Sequence, residues 1–215
     1  MNADPTAKYL AAYPPELRAQ VRGLIAEGQL ARNLEQRYPD RHDIASDGAL
    51  YDYVNGLKSR CMRSAGPLSK AVYDSRLRLT QQALGTHTVV SRLQGGSLKA
   101  KREIRIASLF REAPTALLRM IVVHELAHLK ERDHDNAFYA LCVHMEPDYH
   151  QLKFDVRLWL TAMETGGAAG WCAAWAVTSK GKASSQDWAE SLALPGRMSA
   201  ASGTGPSRAP AVSDR

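Results

Sequence analysis

The stretch Arg119-Met-Ile-Val-Val-His-Glu-Leu-Ala-His-Leu-Lys-Glu-Arg-Asp-His134 constrains the fold more than any other part of the chain. A helical pattern starts at Pro114 and holds to about Glu131. Leu117, Ile121, His124 and His128 form one stripe on that helix, apolar at its start and imidazole-bearing at its C-terminal end. A helix of this kind belongs in the core, with its histidines at the edge of a site.

His124 and His128 are four residues apart, which puts both rings on one helix face, one turn apart, where they can share a metal ion. Glu125 follows the first histidine and points beside that position, where a carboxylate can take a proton from activated water and later deliver it to a leaving group. Catalytic zinc takes three protein ligands and keeps a fourth position for water. His134 lies just past the expected helix end, and a turn there brings it back, giving His-Glu-x-x-His-x5-His. Glu131 is the rival third ligand, but it sits on the same rigid helix and would compete from the same side. No fourth ligand is evident, which suits an open, catalytic site. Zinc is the expected metal because the ligands are imidazoles.

The surrounding chain predicts an α+β domain. Helices are expected from Pro14-Pro15 to Gly28, from Leu30 to Tyr38, and from an Asp47 N-cap to about Arg63. After Pro67 come short β-branched or alternating stretches: Val72-Tyr73, Leu77/Leu79, Thr86 to Leu93 and Lys101 to Ala107. Gly85 and Gly95-Gly96 punctuate them, the glycine pair as a hairpin turn, so a sheet of about three strands is expected. Two more helices should run from Asp135 to Met145 and from Tyr149 to Met163. From Gly166 to Arg215, 30 of 50 residues are Ala, Gly, Ser or Pro, too little large apolar surface to offset ordering entropy. The expected organisation is therefore a domain over 1–165 and a disordered tail over 166–215.

Composition sets the compartment. Three cysteines with no CxxC spacing argue against a disulfide framework and a zinc ribbon, and for a reducing environment. No apolar signal segment is seen, and the longest uncharged run, Thr165 to Ser179, is 15 residues, too short to span a bilayer. A cytoplasmic protein that does not engage a membrane is expected. The net charge is +6, and the region from Lys58 to Arg105 is strongly basic. Arg92, Lys99, Lys101 and Arg105, on the strands expected nearest the metal helix, are candidate clamps for an anionic substrate. Nucleic acid would draw on the same charges but is not favoured; a solvated basic face is the plainer alternative. Tyr149, His144 and His150 are expected to pack or hydrogen-bond in the closing helices, and Cys142 to be an inert core residue.

The run Val122-Val-His-Glu-Leu-Ala-His-Leu-Lys-Glu131, continued through Phe138-Tyr139 to His144-Met-Glu-Pro-Asp-Tyr-His-Gln-Leu152, resembles the YgjP-like metallopeptidase-domain family. Upstream, Ala49-Leu-Tyr-Asp-Tyr-Val54, Pro67-Leu-Ser69, Val90-Ser-Arg-Leu-Gln-Gly-Gly96 and Lys99-Ala-Lys101 extend the likeness to roughly residues 8–163. That family is similar to the SprT-like zincins. SprT-like proteins carry a C-terminal zinc ribbon, and the paired cysteines it needs are absent here. The resemblance implies a zincin-like α+β fold, a small antiparallel or mixed sheet packed on helices that include the metal helix. It implies His124, His128 and His134 as ligands and Glu125 as general base.

The first expectation for activity is zinc-dependent peptide-bond hydrolysis, with the strand Glu103 to Ala107 as an edge that holds an extended peptide. The same family is also assigned as a pyrophosphatase releasing UMP and diphosphate from UTP, which makes a nucleotide the alternative substrate. A zinc-bearing binding module without catalysis is the third reading.

Overall fold

The computed structural model describes residues 4–77, the backbone of 85–94 and 97–101, and residues 102–166. Seven α-helices and three strands lie within them. The expected tail, the Gly95-Gly96 turn and Leu79 lie outside the described residues.

Local sequence explains most element ends. A short helix α1 (Ala7–Leu10), absent from the sequence expectation, precedes α2 (Pro15–Ala26), which has proline at its first position, where the missing N–H is no loss. Gly28, at φ 66°, supplies the left-handed turn into α3 (Gln29–Arg37). The fourth helix, α4 (Asp47–Cys61), is capped by Ser46, whose Oγ accepts from Ala49 N–H. Asp47, expected as that cap, instead accepts a hydrogen bond from Tyr73 N–H at 3.0 Å and ties the helix to the first strand.

The sheet is mixed. Strands β1 (Lys70–Asp74), β2 (Gly85–Gln94) and β3 (Ser97–Ala107) lie in the order β1-β3-β2. β2 and β3 are antiparallel, with Gln94 opposite Ser97, whereas β1 and β3 are parallel, with Lys70 opposite Glu103 and Asp74 opposite Ala107. This overturns one expectation: Glu103 to Ala107 is no edge, because it is bonded on both sides. Alternation along one strand shows which residues face the core; it carries nothing about which neighbours complete the ladder. Gly85 is the first residue of β2, and Leu77 follows β1 outside any strand.

A 3₁₀ turn (Ser108–Glu112) leads from β3 into α5 (Thr115–Ala127), with Pro114 at its start. This helix stops earlier than the expected Glu131: His128 caps it, and a turn follows. α6 (Asn136–Met145) begins at Asp135, whose carboxylate accepts from Phe138 N–H, and ends before Pro147. α7 (Tyr149–Glu164) closes the described chain.

The core is built around α5, which is buried on nearly every side. Ile104 and Ile106 of β3, Phe138 and Cys142 of α6, and Val156, Trp159 and Leu160 of α7 share its cluster. The Phe110 and Trp159 rings meet at 5.5 Å. Each such large side chain contributes about 1.5–3 kcal/mol of burial. Arg119 locks the start of α5 to the end of α6: it pairs with Glu146 and donates to the Met145 carbonyl at 2.9 Å. No helix among the described residues is long and apolar enough to cross a membrane.

Candidate metal centre

Three imidazoles converge at the C-terminal end of α5. His134 Nε2 lies 3.1 Å from His128 Nε2 and 3.2 Å from His124 Nε2. Nitrogens sharing one tetrahedral zinc at about 2.0–2.1 Å stand roughly 3.3 Å apart, so these separations fit a common ion. Each imidazole offers one ligand atom, and the three lie within 4.8 Å of one another. The early stop of α5 makes this convergence possible: the turn after His128 folds residue 134 back over the helix end. Glu131 takes a different place from the rival one. Its backbone carbonyl lies 3.0 Å from His128 Nδ1, and its carboxylate is not part of the cluster.

The outer ring nitrogens fix the tautomers. His128 Nδ1–H donates to the Glu131 carbonyl, which leaves Nε2 with its lone pair facing the cluster. His124 Nδ1 lies 2.7 Å from the Tyr149 hydroxyl, and as donor there it likewise frees Nε2. Cys142 is buried in the core cluster that also holds Tyr149. Burial, joined by the neighbouring His128 and His134, pushes His124 down to about 3, and burial likewise lowers His134. Both are thereby held neutral, the form that ligates. Burial raises Tyr149, which stays a phenol.

Phe138 braces all three rings, with centroids 5.1, 4.6 and 4.7 Å from those of His124, His128 and His134. Neither its role nor the Tyr149–His124 bond was readable beforehand, since both join residues brought together only by the packing of α6 and α7 on α5.

Glu125 follows His124 on α5. It is 2% exposed, and its Oε2 has no hydrogen-bond partner. Burial lifts its carboxyl to about 8. An isolated buried carboxylate is costly, so an unpartnered oxygen here calls for a cation or a proton donor from outside the chain. Three imidazoles with converging ring nitrogens form a donor set suited to a divalent ion.

Of the four basic residues expected as clamps, only the side chain of Arg105 is described. Arg105 pairs with Asp74 at 3.0 Å and Glu103 at 3.3 Å. It lines a shallow cleft with Lys70, Tyr73 and Arg76 that includes none of the three histidines. Its charge is already answered there. Register sets Arg92 opposite Lys99 and Lys101 opposite Val90, and the side chains of these three basic residues lie outside the described residues. His144 and His150 are exposed.

The family described as "YgjP-like, metallopeptidase domain" matches residues 57–157. A protein of Escherichia coli (strain K12) named "UTP pyrophosphatase" is 57% identical over 158 residues, covering 74% of this chain and 95% of that protein. No solved structure matches. Identity at this level, over nearly all of the relative's length, extends well beyond the histidine motif into the helices and sheet that position it. The chain therefore belongs to the YgjP-like family of metallopeptidase-domain hydrolases.

Proposed function

We propose that this protein is a zinc-dependent nucleoside triphosphate pyrophosphatase with a zincin-like fold, releasing UMP and diphosphate from UTP. His124, His128 and His134 would hold the metal and Glu125 would act as general base. The observation that carries the reading is the convergence of three imidazoles, with His134 Nε2 at 3.1 Å from His128 Nε2 and 3.2 Å from His124 Nε2, on a helix that also carries the buried, unpartnered Glu125. The substrate comes from the relative's name, at 57% identity.

Bound zinc would supply Lewis acidity towards water and towards a phosphoryl oxygen. Glu125 Oε2 takes the proton of the attacking water as the new bond to the α-phosphorus forms. The α–β phosphoanhydride bond breaks, diphosphate leaves with the electron pair, and Glu125 returns its proton to the departing group or to solvent. Burial favours the protonated form of Glu125, which helps it hold the proton between the two transfers. Tyr149 keeps the His124 ring turned so that Nε2 faces the site.

Peptide-bond hydrolysis stands as the second reading, supported by the metallopeptidase description of the matched domain. It loses the strand first expected to hold an extended peptide, since β3 is paired on both sides.

The deciding experiment follows UMP and diphosphate release from UTP beside casein cleavage, with and without a chelator. Chelation should abolish UTP hydrolysis and added zinc should restore it. Glu125→Gln should keep zinc yet lose roughly 10²–10⁴-fold in turnover. Casein cleavage without UMP release would favour the peptidase reading. A zinc-loaded protein that hydrolyses neither substrate would be a binding module.

A further inference from the structure

Among the described residues, a lysine on α7 stands near the histidine cluster. Tyr149 and Lys153 are four residues apart, so they share one face of that helix. Tyr149 reaches His124. One turn on, Lys153 Nζ donates to the Tyr139 hydroxyl at 3.1 Å and lies 4.8 Å from the centre of the Tyr139 ring. The Tyr139 ring stacks beside His134, with centroids 6.4 Å apart and planes inclined by 26°. A single phenol ring thus separates the ammonium from the histidine cluster. The positive charge of Lys153 is felt at His124, His134 and Cys142.

Among the described residues no carboxylate pairs with Lys153, although its side chain is half-buried. Several other cations of the described chain have partners within it. Arg105 has Asp74 and Glu103, Arg119 has Glu146, and Arg157, also on α7, donates to the Tyr9 carbonyl at 2.9 Å. A partly desolvated ammonium with only a phenol for a partner is incompletely compensated. Three neutral imidazoles, a divalent ion and an ammonium would together leave the site positive even with Glu125 ionised. Such a site favours a polyanion with charge on consecutive groups, one bound at the metal and the next across the ring of Tyr139.

We propose that Lys153, oriented by Tyr139, is a phosphate-binding residue that takes the diphosphate arm of the substrate. This rests on the nucleotide reading above and specifies which end of the nucleotide lies towards α7. It also separates the two candidate substrate classes, because a neutral peptide has no anionic group to offer that ammonium.

The test compares the purified zinc-bearing protein with its Lys153→Met and Lys153→Arg variants. Methionine keeps the stem that packs on Tyr139 and removes only the charge; arginine restores it. Binding of inorganic diphosphate is measured by calorimetry at low and at moderate salt, with zinc content checked after each titration. KM and kcat for UTP are measured alongside. Lys153→Met should weaken diphosphate binding about 10- to 100-fold and raise KM for UTP more than it lowers kcat, with Lys153→Arg recovering most of the loss. Equal diphosphate affinity in wild type and Lys153→Met would overturn the assignment, as would failure of the wild-type protein to bind diphosphate at all. Charge-dependent diphosphate binding in a protein that does not hydrolyse UTP would leave the subsite standing and remove the proposed activity.

Discussion

At the scale of single residues, the hydroxyl of Tyr149 does what no composition argument could assign to it. It fills the second hydrogen-bonding position of His124, while the Glu131 carbonyl does the same for His128. Partners of this kind set ring orientation and ligand basicity. Tyr149→Phe should keep the packing of the ring and lower zinc affinity about 10- to 100-fold, read by competition with a chelating dye. The grouping of the three imidazoles was legible in the sequence because their geometry is local: helical spacing fixes the first pair, and a short turn returns the third. Tyr149, Phe138 and Lys153 were not assigned these roles, because their partners lie on other helices. The spacing of Tyr149 and Lys153 does mark a shared face, yet only the contact of Tyr149 with His124 shows that this face looks towards the site.

At the scale of elements, the site depends on how firmly α5 is held at its far end. The segment between α3 and α4 does this. Arg41 bridges Pro114, and the Asp40 carbonyl accepts from both Thr115 N–H and Thr115 Oγ1. His42 completes the clamp: its Nδ1 accepts from Ile44 N–H at 3.1 Å, and its Nε2–H donates to the Phe110 carbonyl at 3.0 Å. Only the neutral imidazole makes both bonds. Burial accordingly holds His42 below its ordinary value of 6.5. Its folded-state value is depressed, so the stabilisation is complete above about pH 6.5 and is lost as pH falls through the folded value. His42→Ala should therefore cost roughly 1–2 kcal/mol at pH 7 and progressively less towards pH 5. Urea unfolding of chelated protein at each pH checks this without interference from metal release. Sequence pattern placed most of the helices to within a residue or two. It missed the central position of β3, since the parallel partner β1 is brought in by the intervening chain and leaves no mark on β3 itself.

At the scale of the whole molecule, the described residues end with α7, and Lys8 and Tyr9 both reach back to Glu164 near its end. The first and last helices thus close on each other before residue 166. The alignment with the E. coli relative accounts for 158 residues of this chain and 95% of that protein. We propose that residues 1–165 form the hydrolase domain. Removing 166–215 should leave zinc content, thermal midpoint and UMP release within about twofold of the full chain, since the removed stretch is mostly small residues with little apolar surface to bury. A larger loss in any of the three would give the tail a part in the fold or the site.

The compactness of the histidine cluster along the chain has a thermodynamic side. All three proposed ligands lie within the stretch 124–134, so an unfolded chain still presents them four and six residues apart. A ligand protects a native state only by the difference between its affinities for the native and denatured ensembles. Saturating zinc should consequently raise resistance to urea by less than its native-state dissociation constant alone would give, and the shortfall measures how well the loose peptide chelates by itself.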